Sequence, residues 1–178
     1  MNEFKNISRR ILIAIGLVAS ATGALAQANG TGTATATVVR PITIAASTDL
    51  AFGNVVPSAA LGTLALTAAA STVPTVSGGV TQPGTQAGTV TAAVFDVGGE
   101  GSFTYSITLP AAAATITGPS AATMTVDTFT SSIASGTLNG SAGTAGTQSF
   151  YVGGTLHVAA NQAPGNYTGT FTVTVAYN

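Results

Sequence analysis

Residues Tyr167 to Asn178 alternate in character almost without a break. Tyr167, Gly169, Phe171, Val173, Val175 and Tyr177 occupy the odd positions, and Thr168, Thr170, Thr172, Thr174 and Ala176 the even ones. A strand sends successive side chains to opposite faces, so this period of two predicts a half-buried strand at the C-terminal end. The same period governs Ser102 to Leu109. There Phe103, Tyr105, Ile107 and Leu109 share one face, Thr104, Ser106 and Thr108 share the other, and Pro110 closes the run.

Shorter runs of this kind, separated by turn residues, fill the rest of the chain. Strands are expected over Thr31 to Val39, Thr48 to Val55, Leu61 to Leu66, Thr89 to Val97, Thr123 to Phe129, Gln148 to Val152 and Thr155 to Val158. Gly153-Gly154, between the last two, reads as a hairpin turn. Gly98 to Gly101 reads as a turn, and Val73 to Gly88 and Ser131 to Thr147 as long loops. Past Ala26 no amphipathic helix of ten or more residues appears, and no fixed repeat supports a solenoid. The predicted fold is therefore all-β, a single antiparallel sandwich. Its expected core is Phe52, Phe103, Tyr105, Ile107, Val126, Phe129, Phe150, Val152, Phe171, Val173 and Val175.

The N-terminal end reads as an export signal. Lys5, Arg9 and Arg10 precede an apolar run from Ile11 to Val18, and Ala24-Leu25-Ala26 offers a cleavage site before Gln27. The expected organisation is a signal peptide over 1–26 and one β-domain over 27–178. The apolar run is shorter than the ~20 residues a spanning helix needs, so no membrane anchor is expected in the mature chain. Past the signal, Arg40 is the one cation, set against Asp49, Asp96, Glu100 and Asp127, and lysine is absent. Nucleic-acid binding, which needs a basic face, is not expected on that count. With no cysteine, the fold must stand without disulfides.

The inventory for chemistry is thin. His157 is the single histidine and reads as a surface strand residue, without a second histidine to complete a zinc site. Asp96 and Glu100 flank a glycine-rich stretch but lack the spacing of a calcium loop. No lysine follows the Gly136 to Gly146 segment as in a phosphate loop, and the Gly-x-Ser-x-Gly elbow is absent. No catalytic, metal-binding or cofactor-binding residue is expected, and the chain does not read as an enzyme.

Two segments carry a family resemblance. Thr35-Ala36-Thr37-Val38-Val39-Arg40-Pro41-Ile42-Thr43-Ile44, followed by Asp49-Leu50-Ala51-Phe52-Gly53, closely resembles the opening of the DUF4402 family of exported bacterial proteins. Gly153 to Tyr177 resembles that family's closing half and also the spore-coat-U pilin domain. Gly165, fourteenth from the end, and the penultimate Tyr177 resemble the C-terminal signature of chaperone–usher pilins. The resemblance implies an immunoglobulin-like β-sandwich working as a structural surface subunit. Those pilins commonly carry cysteines, and here the chain departs from them.

Sheet edges invite pairing with other chains, and lysine is a common device to blunt them. Without lysine the edges must be covered or used, and strand addition uses them. Gly32, Ala34, Ala36 and Val38 alternate with threonines just after the cleavage site. They are either a donor strand for the next subunit or an ordinary first strand of their own domain. Gly165, Tyr167, Phe171, Val173, Val175 and Tyr177 are the candidate assembly edge. The leading expectation is an exported pilus or fibre subunit at the cell surface, periplasmic in transit, assembling by β-strand addition. Its expected partners are further copies of itself, a periplasmic chaperone and an outer-membrane usher. The alternative is a monomeric secreted module that binds glycans or surfaces, with Tyr151 and Tyr167 as the nearest aromatic candidates.

Overall fold

The computed structural model describes residues 27–178, so the signal-peptide expectation for residues 1–26 lies outside the described residues. Residues 27–36 form no strand, and each is exposed. Thr37–Asn178 is one compact unit.

Its longest element is β11 (Ala145–Val158), and the expected hairpin at Gly153-Gly154 does not occur. The strand runs straight through both glycines. Gln148, Phe150, Val152, Gly154, Leu156 and Val158 keep one parity, and Phe150, Val152, Leu156 and Val158 are all buried. A two-residue turn would have put Thr155 and His157 on the face of Val152. Gly153 is needed for close approach instead: a Cβ there would collide with the backbone carbonyl of Leu66.

Three neighbours crowd that point. β6 (Ala93–Glu100) pairs with Ala145 to Val152, and β3 (Val56–Leu66) with Gly154 to Val158. β9 (Thr123–Ser131) takes the other edge, from Val152 to His157. The large sheet is completed by β1 (Thr43–Thr48) beyond β6, β4 (Thr75–Thr81) beyond β3, and β8 (Ala114–Thr117) beyond β9. A second sheet has the order β10 (Ser135–Thr137), β7 (Thr104–Thr108), β12 (Thr174–Tyr177). β2 (Ala51–Phe52) pairs with β5 (Val90–Thr91). All ladders are antiparallel, as the all-β sandwich reading requires.

Several segments differ from expectation. β4 lies inside the stretch read as a loop, because Gly78 and Gly79 let its backbone pack against Leu61 and Ala60 of β3. β6 continues through Gly98 and Gly99 to Glu100, and the chain turns at Gly101-Ser102. The second expected loop contains β10 and the start of β11. Thr31 to Val39 forms no strand, and of the C-terminal run only Thr174–Tyr177 joins a ladder, with Thr168 bridging Thr117.

The core has two clusters. Ala93, Phe95, Val97, Tyr105, Leu138, Phe150, Val152 and Val173 form one, between β6, β11 and the small sheet. Leu64, Val80, Val126, Leu156 and Val158 form the other. Phenylalanines connect them: Phe150 stacks on Phe95 at 5.6 Å, Phe171 meets Phe95 edge-on at 6.0 Å, and Phe129 stacks on Phe171 at 4.9 Å. Of the expected core, Tyr105, Val126, Phe150, Val152 and Val173 are buried, and Phe52, Phe103, Ile107, Phe129, Phe171 and Val175 are half-buried.

Replacing Gly153 by alanine forces a methyl group into the Leu66 backbone. Urea denaturation should show a loss of about 1–3 kcal/mol, the range for overpacked sites. Phe150→Ala empties a fully buried position at the junction of β11 and β6, and should cost about 3–5 kcal/mol.

Candidate functional site: the β12 edge and its terminal latch

β12 pairs with β7 on one side, in the register Thr174 with Thr108 through Tyr177 with Tyr105. Among the described residues no strand pairs its other edge. β1 is likewise the last strand of the large sheet. The two strands approach each other but share no ladder. Both cover the same core cluster, against which Ile42, Ile44, Val175 and Tyr177 are packed while only half-buried. The sandwich thus has a seam along one side, with backbone edges on both banks.

One end of the seam is fixed by a polar latch. Arg40 donates to the Glu100 carboxylate twice, from its backbone N–H and from Nη1, each at 3.1 Å. The backbone N–H of Gly143 also donates to Glu100. The Tyr177 hydroxyl donates to Arg40 O at 3.0 Å and accepts the Glu100 N–H at 2.6 Å. Gly99 makes this possible, since a side chain there would occupy the position of that hydroxyl. Phe103 supports the Tyr177 ring edge-on at 5.5 Å. Glu100 is 4% exposed, and a buried carboxylate needs such partners to stay charged. The N–H groups of Arg40 and Gly143, then the Arg40 side chain, hold its carboxyl below the usual glutamate range.

The candidate edge residues divide into three groups. Val175 and Tyr177 lie on β12. Phe171 and Val173 precede it and turn into their own core. Gly165 and Tyr167 sit against β8 and the turn after it: the Tyr167 ring packs over Gly118, its hydroxyl donates to Ala163 O at 2.7 Å, and Gly165 meets Pro119. Of the candidate donor residues, Gly32, Ala34 and Ala36 are exposed and outside any strand. Val38 is 95% exposed and lines a cleft with Val39, Arg40, Glu100, Phe103 and Gly143. Sequence reading missed Arg40 and Glu100, whose partnership spans sixty residues. The signal was available in composition, because a lone cation among residues 27–178, set against four acids, is unusual enough to be sought in an ion pair.

A second polar pair lies on the large sheet. His157 Nε2 is 2.8 Å from Asp127 Oδ1, and both side chains are partly exposed. The hydrogen bond from His157, followed by that from Thr128, holds the Asp127 carboxyl below its usual range. Among the described residues no group of three or more His, Cys, Asp or Glu is gathered to hold a metal. No helix among them is long and apolar enough to cross a membrane.

The sequence model of a family described as "Domain of unknown function (DUF4402)" matches residues 42–177. Comparison with curated proteins and with solved structures returned no match.

Because the folded Glu100 pKa is depressed, its contribution to stability is present above the unfolded value, about 4.3, and is lost as pH falls through the folded value. Glu100→Gln should therefore flatten the stability–pH curve below about pH 4.3, read by thermal unfolding across pH 2–7. Tyr177→Phe strands the Glu100 N–H and should cost about 1–3 kcal/mol.

Proposed function

The chain belongs to the DUF4402 family, and from that premise we propose that it is an exported structural surface protein, a pilus or fibre subunit assembling by β-strand addition. The observation that carries this reading is the seam between β12 and β1. An incoming extended segment there meets an unpaired backbone edge and half-buried apolar side chains, the two elements of recognition by strand addition. Thr31 to Val38 of a second copy supplies a strand of suitable character. Its small residues, Gly32, Ala34 and Ala36, suit a seam whose own Phe171 and Val173 already fill the core beneath.

The open edge at β4 differs. The β3–β4 ladder is interrupted by a bulge in which Ser58 to Leu61 of β3 face Gly79, and Gly78 turns the backbone with φ 72. Bulges of this kind disfavour edge-to-edge pairing. β12 carries no bulge in its register with β7. This contrast supports β12 as the edge in use, rather than β1, whose ladder with β6 shifts register between Ala46 and Thr48. In transit, a periplasmic chaperone and an outer-membrane usher are the partners that the pilin resemblance implies, and residues 1–26 supply the export signal.

Deleting residues 27–38 should leave a folded domain that no longer forms fibres, read by light scattering of purified protein and by electron microscopy of cells. Ala36→Arg should block assembly without unfolding the subunit, because an unpaired charge buried in the seam is strongly unfavourable. Full-length protein that stays monomeric, on cells without filaments, would sink the fibre reading in favour of a monomeric binding module. A deletion variant that still polymerises would remove the donor segment.

A further inference from the structure

Five strands of the large sheet place one residue each in a single row across its solvent face. Ser77 of β4 faces Thr63 of β3, which faces His157 of β11. His157 in turn faces Thr125 of β9, which faces Thr115 of β8. Residues directly opposite in an antiparallel pair share a face. Four hydroxyls and one imidazole therefore line up at roughly the 4.8 Å spacing between strands.

The backbone around this row is built to expose it. In β9, Thr128 and Phe129 together oppose the single Gly154, and the resulting bulge carries Thr128 at φ 49. That is a costly conformation for a β-branched residue, and bulges re-aim side chains. Here the outcome is Asp127, which accepts the Thr128 hydroxyl at 2.9 Å and lies 2.8 Å from His157 Nε2. In β3, the Ser58 to Leu61 bulge raises one wall, with Leu61 standing 73% exposed. Thr123 and Thr125 form the opposite wall of the trough, and its floor runs from His157 to Ala159.

The charge pattern selects the ligand. Residues 50–95 contain no charged side chain. Arg40, the one Lys or Arg among the described residues, is engaged by Glu100. A phosphate, sulfate or carboxylate ligand would find no fixed cation in the trough. A hydroxyl both donates and accepts, as the row's own hydroxyls do, while a carboxylate accepts and an imidazole can do either. Leu61 offers an apolar rim for a C–H face. We propose that this trough binds a neutral polysaccharide chain, with His157 in the trough and Asp127 beside it gripping adjacent hydroxyls and Thr63, Thr125 and Ser77 extending the contact across the strands.

The test is an NMR titration of the full-length protein with cellohexaose, laminarihexaose and mannohexaose, with a heparin hexasaccharide as the anionic control. At least one neutral hexasaccharide should shift the His157 ring and the Thr63 and Thr125 amides saturably, and heparin should not. Asp127→Asn and His157→Ala should each weaken that binding about tenfold, the scale of losing a hydrogen bond to a charged group. Ser77→Ala, on an exposed edge strand, should weaken it measurably and serves if an Asp127 variant fails to fold. Ser47→Ala on β1 should leave it unchanged. Ala36→Arg should bind as the parent does, which separates this site from fibre assembly. No shift with any neutral hexasaccharide, equal shifts with heparin, or undiminished binding by both Asp127→Asn and Ser77→Ala would overturn the proposal.

Discussion

β11 presents two backbone edges over fourteen residues, and β6, β3 and β9 all draw hydrogen bonds from them. Buried backbone groups must be paired, and a strand enclosed on both sides in this way fixes the position of everything beside it. The change of partner from β6 to β3 at Gly153-Gly154 divides the core into two clusters, and Phe95, Phe171 and Phe129 rejoin them. The seam and the outer trough are both set by this arrangement. β6 carries β1 to one bank of the seam, while the His157 end of β11 forms the floor of the trough.

The fold class was legible because period two is hard to mistake over Ser102 to Leu109 and Tyr167 to Asn178. The hairpin misreading at Gly153-Gly154 shows where local turn chemistry misleads. Parity held the answer, since Phe150, Val152, Leu156 and Val158 stay in phase across the glycines. β4 was concealed for a related reason: Thr-Val-Ser-Gly-Gly-Val-Thr has the composition of a loop, and its pairing with β3 comes from tertiary contact. Leu138 is buried within a stretch of glycine, serine and threonine that gave it no visible neighbours. The alternation of Thr31 to Val38 was plain in the sequence, but the described chain offers it no strand. A pattern specifies a face to be covered, and it does not say by which molecule.

Of the candidate edge, Val175 and Tyr177 were legible as strand residues. That Phe171 and Val173 face their own core rather than an incoming strand depends on the bend of the chain before β12, which no period encodes. The latch was beyond local reading, because Arg40, Glu100, Gly143 and Tyr177 come from four distant places in the chain. The His157 row was equally hidden, since its members are neighbours across strands and never along one.

That Arg40 is the one lysine or arginine among the described residues has a consequence for proteolysis. A protease that cuts after lysine or arginine finds one such residue in 27–178, and Pro41 follows it. Its guanidinium is already occupied by Glu100, and its carbonyl oxygen by Tyr177. Trypsin-like enzymes cut poorly before proline, so the one basic residue in 27–178 offers them a poor site, and the same two partners that close the end of the seam also hold it in place. Residues 27–178 also contain no lysine, and so no side-chain amine to attack the carbonyl of a sugar or aldehyde.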